Sequence, residues 1–243
     1  MILLFTDFGT DGPYVGQMKA VLQAAAGAVP VVDLMHDAPA TRPKPAAYLL
    51  AALLPALPRD AVILAVVDPG VGGPRAPLAV RLDGRFLVGP DNGLFAPAAS
   101  AATETAWFEI TWRPASLSAS FHGRDLFAPV AARLALGEGI EDLAVATAVP
   151  ETGSGWPRDL PEVIYIDRFG NAMTGLRAAS LQGEPTISLK NIRIPWFRTF
   201  SDAAPDAAFW YENSNGLVEI AVNGGSAAKA LGLAIGTPVA LDG

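Results

Sequence analysis

An aspartate, an arginine and a histidine stand in two short words of this sequence, and these are residue types of acid–base chemistry. Asp68 and Arg75 belong to VVDPGVGGPR at 66–75, and His122 to SFHGRDLFAPVAA at 120–132. The run AVILA at 61–65 reads as a buried strand, so Asp68 stands where that strand meets a Gly/Pro turn. In open α/β sheets the carboxyl ends of strands are where ligands bind. An arginine close by would favour the ionised form of the Asp68 carboxyl. The same two residues would also serve as a structural ion pair that holds a turn. His122 has polar, glycine-flanked neighbours at the start of a helix, where anionic groups are favoured. The other histidine, His36 in LMHDAP, reads as a structural residue. Two histidines more than eighty residues apart form no ligand pair, and no metal site is expected.

Other words offer binding groups. TDFGTDGPYVGQMKA at 6–20 places Asp7 just past a strand, with Gly9, Gly12 and Gly16 around a helix start. A carboxylate there suits the paired hydroxyls of a ribose, and an ordinary strand-to-helix turn would use the same glycines. The spacing is not GxGxxG, and DFG at residue 7 has no kinase lobe before it. DPGVGG lacks the Gly-Lys-Ser/Thr of a phosphate-binding loop. VGPDNGLF at 88–95 offers Asp91 and Asn92 as ligand contacts or as turn formers. DRFGNAMTG at 167–175 offers the Phe169 face for stacking and Asn171 as a donor and acceptor for a purine edge. NSNGLVEIAVNGGSAAKALGL at 213–233 adds Ser214 and a glycine turn at Asn223, Gly224 and Gly225 whose free amides could meet a ligand.

The elements that must position these residues fall into two groups. Up to about residue 150, apolar runs at 2–6, 30–34 and 61–67 read as buried strands, and 14–26 and 45–57 as helices. This β-α-β-α-β order predicts an α/β domain over 1–150 with a mostly parallel sheet and helices on its faces. Asp7, Asp33 and Asp68 then fall at or near strand carboxyl ends. Further strands are expected at 78–82 and 85–89 and a helix at 127–136. The stretch 146–161, rich in Gly, Pro, Ser and Thr, reads as a linker. Beyond it, over 160–243, short strands at 162–167, 186–191 and 217–222 predict a smaller all-β, barrel-like domain.

Composition narrows the classes of partner. The 17 Lys and Arg against 24 Asp and Glu give a net charge of −7, with no basic stripe for a phosphate backbone, so nucleic acid is not expected. Absent cysteine excludes disulfides and thiolate chemistry. MILLFTDFG has no basic leader and is broken by Asp7, and AAYLLAALLPALP is too short to span a bilayer, so a cytoplasmic protein without membrane attachment is expected.

Taken in order, DFGTDGPYVGQMKA, VVDPGVG, VGPDNGL, SFHGRDLFAPVAA, DRFGN and NSNGLVEIAVNGGSAA resemble one family. It is the S-adenosylmethionine hydroxide adenosyltransferases, adenosine-forming S-adenosylmethionine hydrolases related to the fluorinase and chlorinase. The resemblance implies a homotrimer that holds S-adenosylmethionine between the N-terminal domain of one subunit and the C-terminal domain of the next. It implies that Asp7 binds the ribose, Phe169 and Asn171 the adenosyl group, and Asp167 and Ser214 the methionine end, with Asn223 and Gly224 also in the substrate-binding set. Asp68, Arg75 and His122 match the family's water-activating residues, with no cofactor. The halogenating relatives carry an extra loop between the DPG word and the PDNG or PNNG word, and lack the Asp/Arg/His set; here only LAVRLDGRFL intervenes, which favours water as nucleophile. Gly12 stands where the family commonly has an acidic residue, and Thr41 near where relatives often place a larger side chain. A binding module without turnover, or a halide-using transferase, would carry much of the same sequence.

Overall fold

A computed structural model describes residues 1–241 apart from Glu184, Lys190 and Asn191. The chain divides into two compact units, Met1–Trp156 and Pro157–Gly243. In the first, β1 (Ile2–Thr6) and β3 (Val62–Val66) are buried at every position. That continuous burial is why their sequences are unbroken apolar runs rather than alternating ones. They pair in parallel with each other, and the parallel set continues to β2 (Val31–Met35) on one side and β5 (Arg85–Pro90) on the other. An antiparallel flank of β4 (Pro77–Leu82), β6 (Thr105–Ile110) and β7 (Ala144–Ala146) completes a seven-stranded sheet in the order β2-β1-β3-β5-β4-β6-β7.

Helices α1 (Tyr14–Ala26) and α2 (Pro43–Leu53) follow β1 and β2; α2 ends earlier than the expected 45–57 because Pro55 cannot continue it, and a 3₁₀ turn follows at Leu54–Ala56. A short α3 (Ala96–Ala101) precedes β6, and α4 (Ala128–Ala135) occupies most of the helix expected at 127–136. Asp33 lies near the end of β2, which runs on two residues to Met35; its carboxylate meets Lys19 Nζ at 3.0 Å and His36 Nε2 at 3.1 Å. His36 is 5% exposed, its Nδ1 lies 2.8 Å from Thr6 Oγ1, and its carbonyl accepts from the Gly9 amide, so it holds the loop after β1.

The stretch 146–161 is less free than its composition predicts. The Trp156 ring stacks on Tyr48 at 6.4 Å, and a Cβ on Gly93, whose φ is +87°, would lie 2.6 Å from Trp156. The strands of the second unit pair antiparallel, and an isolated parallel bridge joins Trp196 to Trp210. One sheet has the order β12-β13-β9-β8, from β8 (Leu160–Ile166), β9 (Ala172–Arg177), β12 (Ala208–Glu212) and β13 (Leu217–Val222). The other joins β10 (Ile187–Leu189), β11 (Ile192–Ile194) and β14 (Ala240–Leu241), with a short helix α5 (Ala227–Leu231) after β13. The end of the strand expected at 186–191, Lys190 and Asn191, lies outside the described residues. Among the described residues no helix is long and apolar enough to cross a membrane.

Candidate active site

Asp68 lies just past β3, and the DPGVGG turn swings Arg75 back onto it. Arg75 Nε lies 3.1 and 3.0 Å from the two Asp68 carboxylate oxygens, and Arg75 Nη2 donates to Oδ2. The side chains of Asp68 and Arg75 are 4% and 9% exposed, so the pair is both buried and bidentate. Arg75 also lies over the Phe127 ring at 5.3 Å and sends Nη2 to His122 Nδ1 at 2.9 Å. A guanidinium has donors and no acceptor, so His122 Nδ1 must accept. The neutral imidazole therefore carries its proton on Nε2. Burial and the Arg75 charge push the His122 pKa below its ordinary value, which favours that neutral form.

His122 is carried into reach by a π turn, Gly123–Phe127, in which the Ala128 amide reaches back five residues to the Gly123 carbonyl. Such turns are frequent at functional sites. Gly123 has no room for a side chain without displacement: a Cβ would lie 3.3 to 3.4 Å from Phe121, Met18 and Phe8. Asp68, His122 and Gly123 line a cleft of about 420 Å³ together with Phe8, Tyr14 and Phe121. These three rings meet at centroid distances of 5.4 to 6.0 Å. The turn after β5 braces the floor, since Asn92 Nδ2 donates to the Val67 carbonyl, one residue before Asp68, at 2.8 Å. Asn92 is thus a turn former. Asp91 is pushed toward its neutral form by burial and by Glu109.

Asp7 follows β1 and accepts from the Thr41 amide at 2.8 Å. Its pKa is raised, chiefly by burial and further by the charge of Asp68, with the Thr41 hydrogen bond opposing. Thr41 holds this contact at φ +56°, an unusual conformation for a β-branched residue. Gly12 in the first unit is exposed.

In the second unit Asp167, Phe169, Asn171 and Gly224 share an open cleft of about 640 Å³ with Phe200 and Tyr211. Asp167 Oδ1 accepts from the Phe169 and Asn171 amides, each at 2.9 Å, and Asn171 Nδ2 donates to Oδ2 at 3.2 Å. This turn leaves the Phe169 ring 72% exposed, the arrangement a stacking platform needs. Gly170 brings DRFGN against the start of α5: its φ is +86° and a Cβ would lie 2.0 Å from Ser226 Oγ. Ser214 and Asn223 are not among the lining residues. Ser214 is exposed on the turn between β12 and β13, and Asn223 Nδ2 donates to the Ala203 carbonyl at 2.8 Å. Sequence reading passed over Tyr211, Asn213 and Glu219, which form one network beneath this cleft. Its signal was a lone glutamate in the apolar strand LVEIAV, directly across from Tyr211 in the hairpin. Among the described residues no three His, Cys, Asp or Glu side chains gather as a metal site requires.

A family model described as the SAM hydroxide adenosyltransferase N-terminal domain matches residues 2–144, and its C-terminal counterpart matches 161–240. The chain is 43% identical to the (R)-S-adenosyl-L-methionine hydrolase of Thermus thermophilus, over 99% of this chain and 98% of that one. It is 41% identical to a protein of the same name from Salinispora tropica, covering 95% and 93%, and 24% identical to the fluorinase of Actinopolyspora mzabensis, covering 98% and 96%. Among solved structures, an uncharacterized conserved protein from Thermotoga maritima superposes with a TM-score of 0.90 at 27% identity, covering 98% of each chain. A conserved hypothetical protein from Thermus thermophilus superposes with a TM-score of 0.80 at 40% identity, covering 99% of each. With its two domain matches and these full-length relatives, the chain belongs to the SAM hydroxide adenosyltransferase family.

Proposed function

We propose that this protein hydrolyses S-adenosylmethionine to adenosine and L-methionine, in the (R) sulfonium form that its relatives' name specifies. The observation that carries the reading is the Asp68–Arg75–His122 cluster, its ion pair buried and its histidine half-buried, at the wall of an aromatic cleft. Water attacks C5′ of the ribose in line with the sulfonium sulfur. The new O–C5′ bond forms as the C5′–S bond breaks, and its electron pair stays on sulfur. Methionine leaves as a neutral thioether, so the leaving group needs no acid. What the reaction needs is a positioned water and an acceptor for its proton. His122, with Nδ1 committed to Arg75, offers Nε2–H to the water oxygen and holds it. Asp68 takes the proton and passes it to solvent, while Arg75 fixes both partners. Positioning of this kind supplies about 7–11 kcal/mol when the geometry is near attack.

In this reading Asp7 binds the ribose diol, Phe169 and Asn171 the adenosyl group, and Asp167 and Ser214 the methionine end, with Asn223 and Gly224 shaping the turn beside them. The protein works in the cytoplasm as a homotrimer, and one subunit's N-terminal unit meets a neighbour's C-terminal unit around the substrate. The reaction as written uses no cofactor or metal.

Incubation with S-adenosylmethionine in H₂¹⁸O tests the reaction: adenosine carrying ¹⁸O at C5′ is the expected product. Unchanged S-adenosylmethionine, or 5′-chloroadenosine formed in a chloride buffer in its place, would reject the reading. The His122 state gives a second expectation. Protonating Nδ1 removes its bond to Arg75, so the neutral imidazole is the active form, and kcat/KM falls as pH drops through a pKa lying below the ordinary histidine value. A pH–rate profile checks this, and His122→Asn should lose that acid limb.

A further inference from the structure

Beneath the second cleft lies a carboxylate that the proposed mechanism does not use. Glu219 sits on β13, where all six residues are buried, and is itself 2% exposed. Tyr211 Oη donates to its Oε1 and Asn213 Nδ2 to its Oε2, each at 2.7 Å. Asn213 in turn accepts the Asn215 and Leu217 amides at 2.9 and 3.0 Å, which shapes the turn that carries Ser214. Donors on both oxygens favour the carboxylate, while burial pushes its pKa above the ordinary glutamate value. No cation balances it: among the described residues neither Glu219 nor Asp167 takes part in an ion pair, and the other charge acting on Glu219 is Asp167, of the same sign. Tyr211, whose hydroxyl touches Glu219, lines the cleft alongside Asp167.

Asp167 lines the cleft and Glu219 lies buried behind Tyr211, and with no counter-cation among the described residues the two carboxylates repel each other until a cation arrives. We infer that Glu219 is a specificity-determining residue that makes this cleft select the cationic sulfonium substrate over neutral thioethers. The inference rests on the reading of the protein as an S-adenosylmethionine hydrolase. It gives the product step a driving force, because hydrolysis removes the sulfonium charge and with it the attraction of the cleft. Glu219 acts through its field, without touching the reacting atoms, while Tyr211 and Asn213 hold it in place.

Affinities for S-adenosylmethionine and for its neutral thioether analogue S-adenosylhomocysteine test it, measured by calorimetry in Asp68→Ala protein so that no turnover intervenes. Asp68→Ala protein with Glu219 intact should bind the sulfonium at least about tenfold tighter, and Glu219→Gln should cut that preference on the order of tenfold while the thioether affinity changes little. Tyr211→Phe, which loosens the network and keeps the charge, should retain the preference. Equal affinities with Glu219 intact would overturn the inference, and that measurement stands even if Glu219→Gln does not fold. A Glu219→Gln protein that weakens both ligands equally, or neither, would overturn it as well. None of these outcomes depends on turnover, so failure here is separate from failure of the ¹⁸O experiment.

Discussion

Asp68→Ala is expected to lower kcat for S-adenosylmethionine hydrolysis by about 10²–10⁴-fold, the range for losing a positioned general base. Substrate should still bind, because the role assigned to Asp68 is on the water and not on the adenosyl group. The substitution also strips the partner from a guanidinium that is 9% exposed, and breaking a buried pair from one side costs about 3–5 kcal/mol of stability. Asp68→Asn separates the two effects. An amide oxygen still accepts from Arg75 but cannot take up the proton of the attacking water, so stability should recover and turnover should not. Single-turnover kinetics and thermal unfolding of both variants check this. A variant that hydrolyses at the normal rate would remove Asp68 from the mechanism.

Gly72→Ala should damage catalysis nearly as severely without touching any reacting group. Gly72 has φ +76°, and a Cβ there would lie 2.4 Å from the Ala119 carbonyl oxygen. The side chain has nowhere to go except by driving the DPGVGG turn away from the 118–120 loop. One of those segments carries Asp68 and Arg75, and the other leads into His122. Strain of this kind costs about 1–3 kcal/mol, and a displacement near 1 Å at the reacting groups costs about 10²-fold in rate. The expected signature is a loss in kcat much larger than the fall in melting temperature. Unchanged kcat would mean that the two loops can separate without disturbing the Arg75–His122 contact.

The strands that end at the site were legible because burial on both faces leaves an unbroken apolar run, as in ILLFT and AVILAVV, and the carboxylates follow directly. The antiparallel flank was less visible. TETAWFEI, which forms β6, and the three-residue β7 carry too little alternation to announce a strand. The Asp68–Arg75–His122 cluster could be proposed from residue types, but its hydrogen-bond direction could not. Which imidazole nitrogen holds the proton depends on where Arg75 Nη2 lies, and that is set by the fold of the DPGVGG turn and the Phe127 ring. Glu219 was missed for a related reason: its partners, Tyr211 and Asn213, join it only once β12 pairs with β13. Thr41 stood out by its size but not by its backbone, since a left-handed threonine is imposed from outside by the Asp7 carboxylate it serves.

The π turn at Gly123–Phe127 bears on how this site can change over generations. It holds one residue more than the same span of α-helix would, and each residue of an α-helix turns the chain by about 100°. Exchanging Arg124 or Asp125 leaves the winding of the turn, and with it the direction of His122 toward Arg75, as it is, whereas Gly123 and Phe127 are held by the packing around them. Deleting one codon there would restore regular winding and rotate His122 off the cleft by roughly a quarter of a circle. The position of the histidine is therefore more fragile to deletion than to substitution at Arg124 or Asp125, and lineages that keep the chemistry should vary those two letters more readily than the length of the turn.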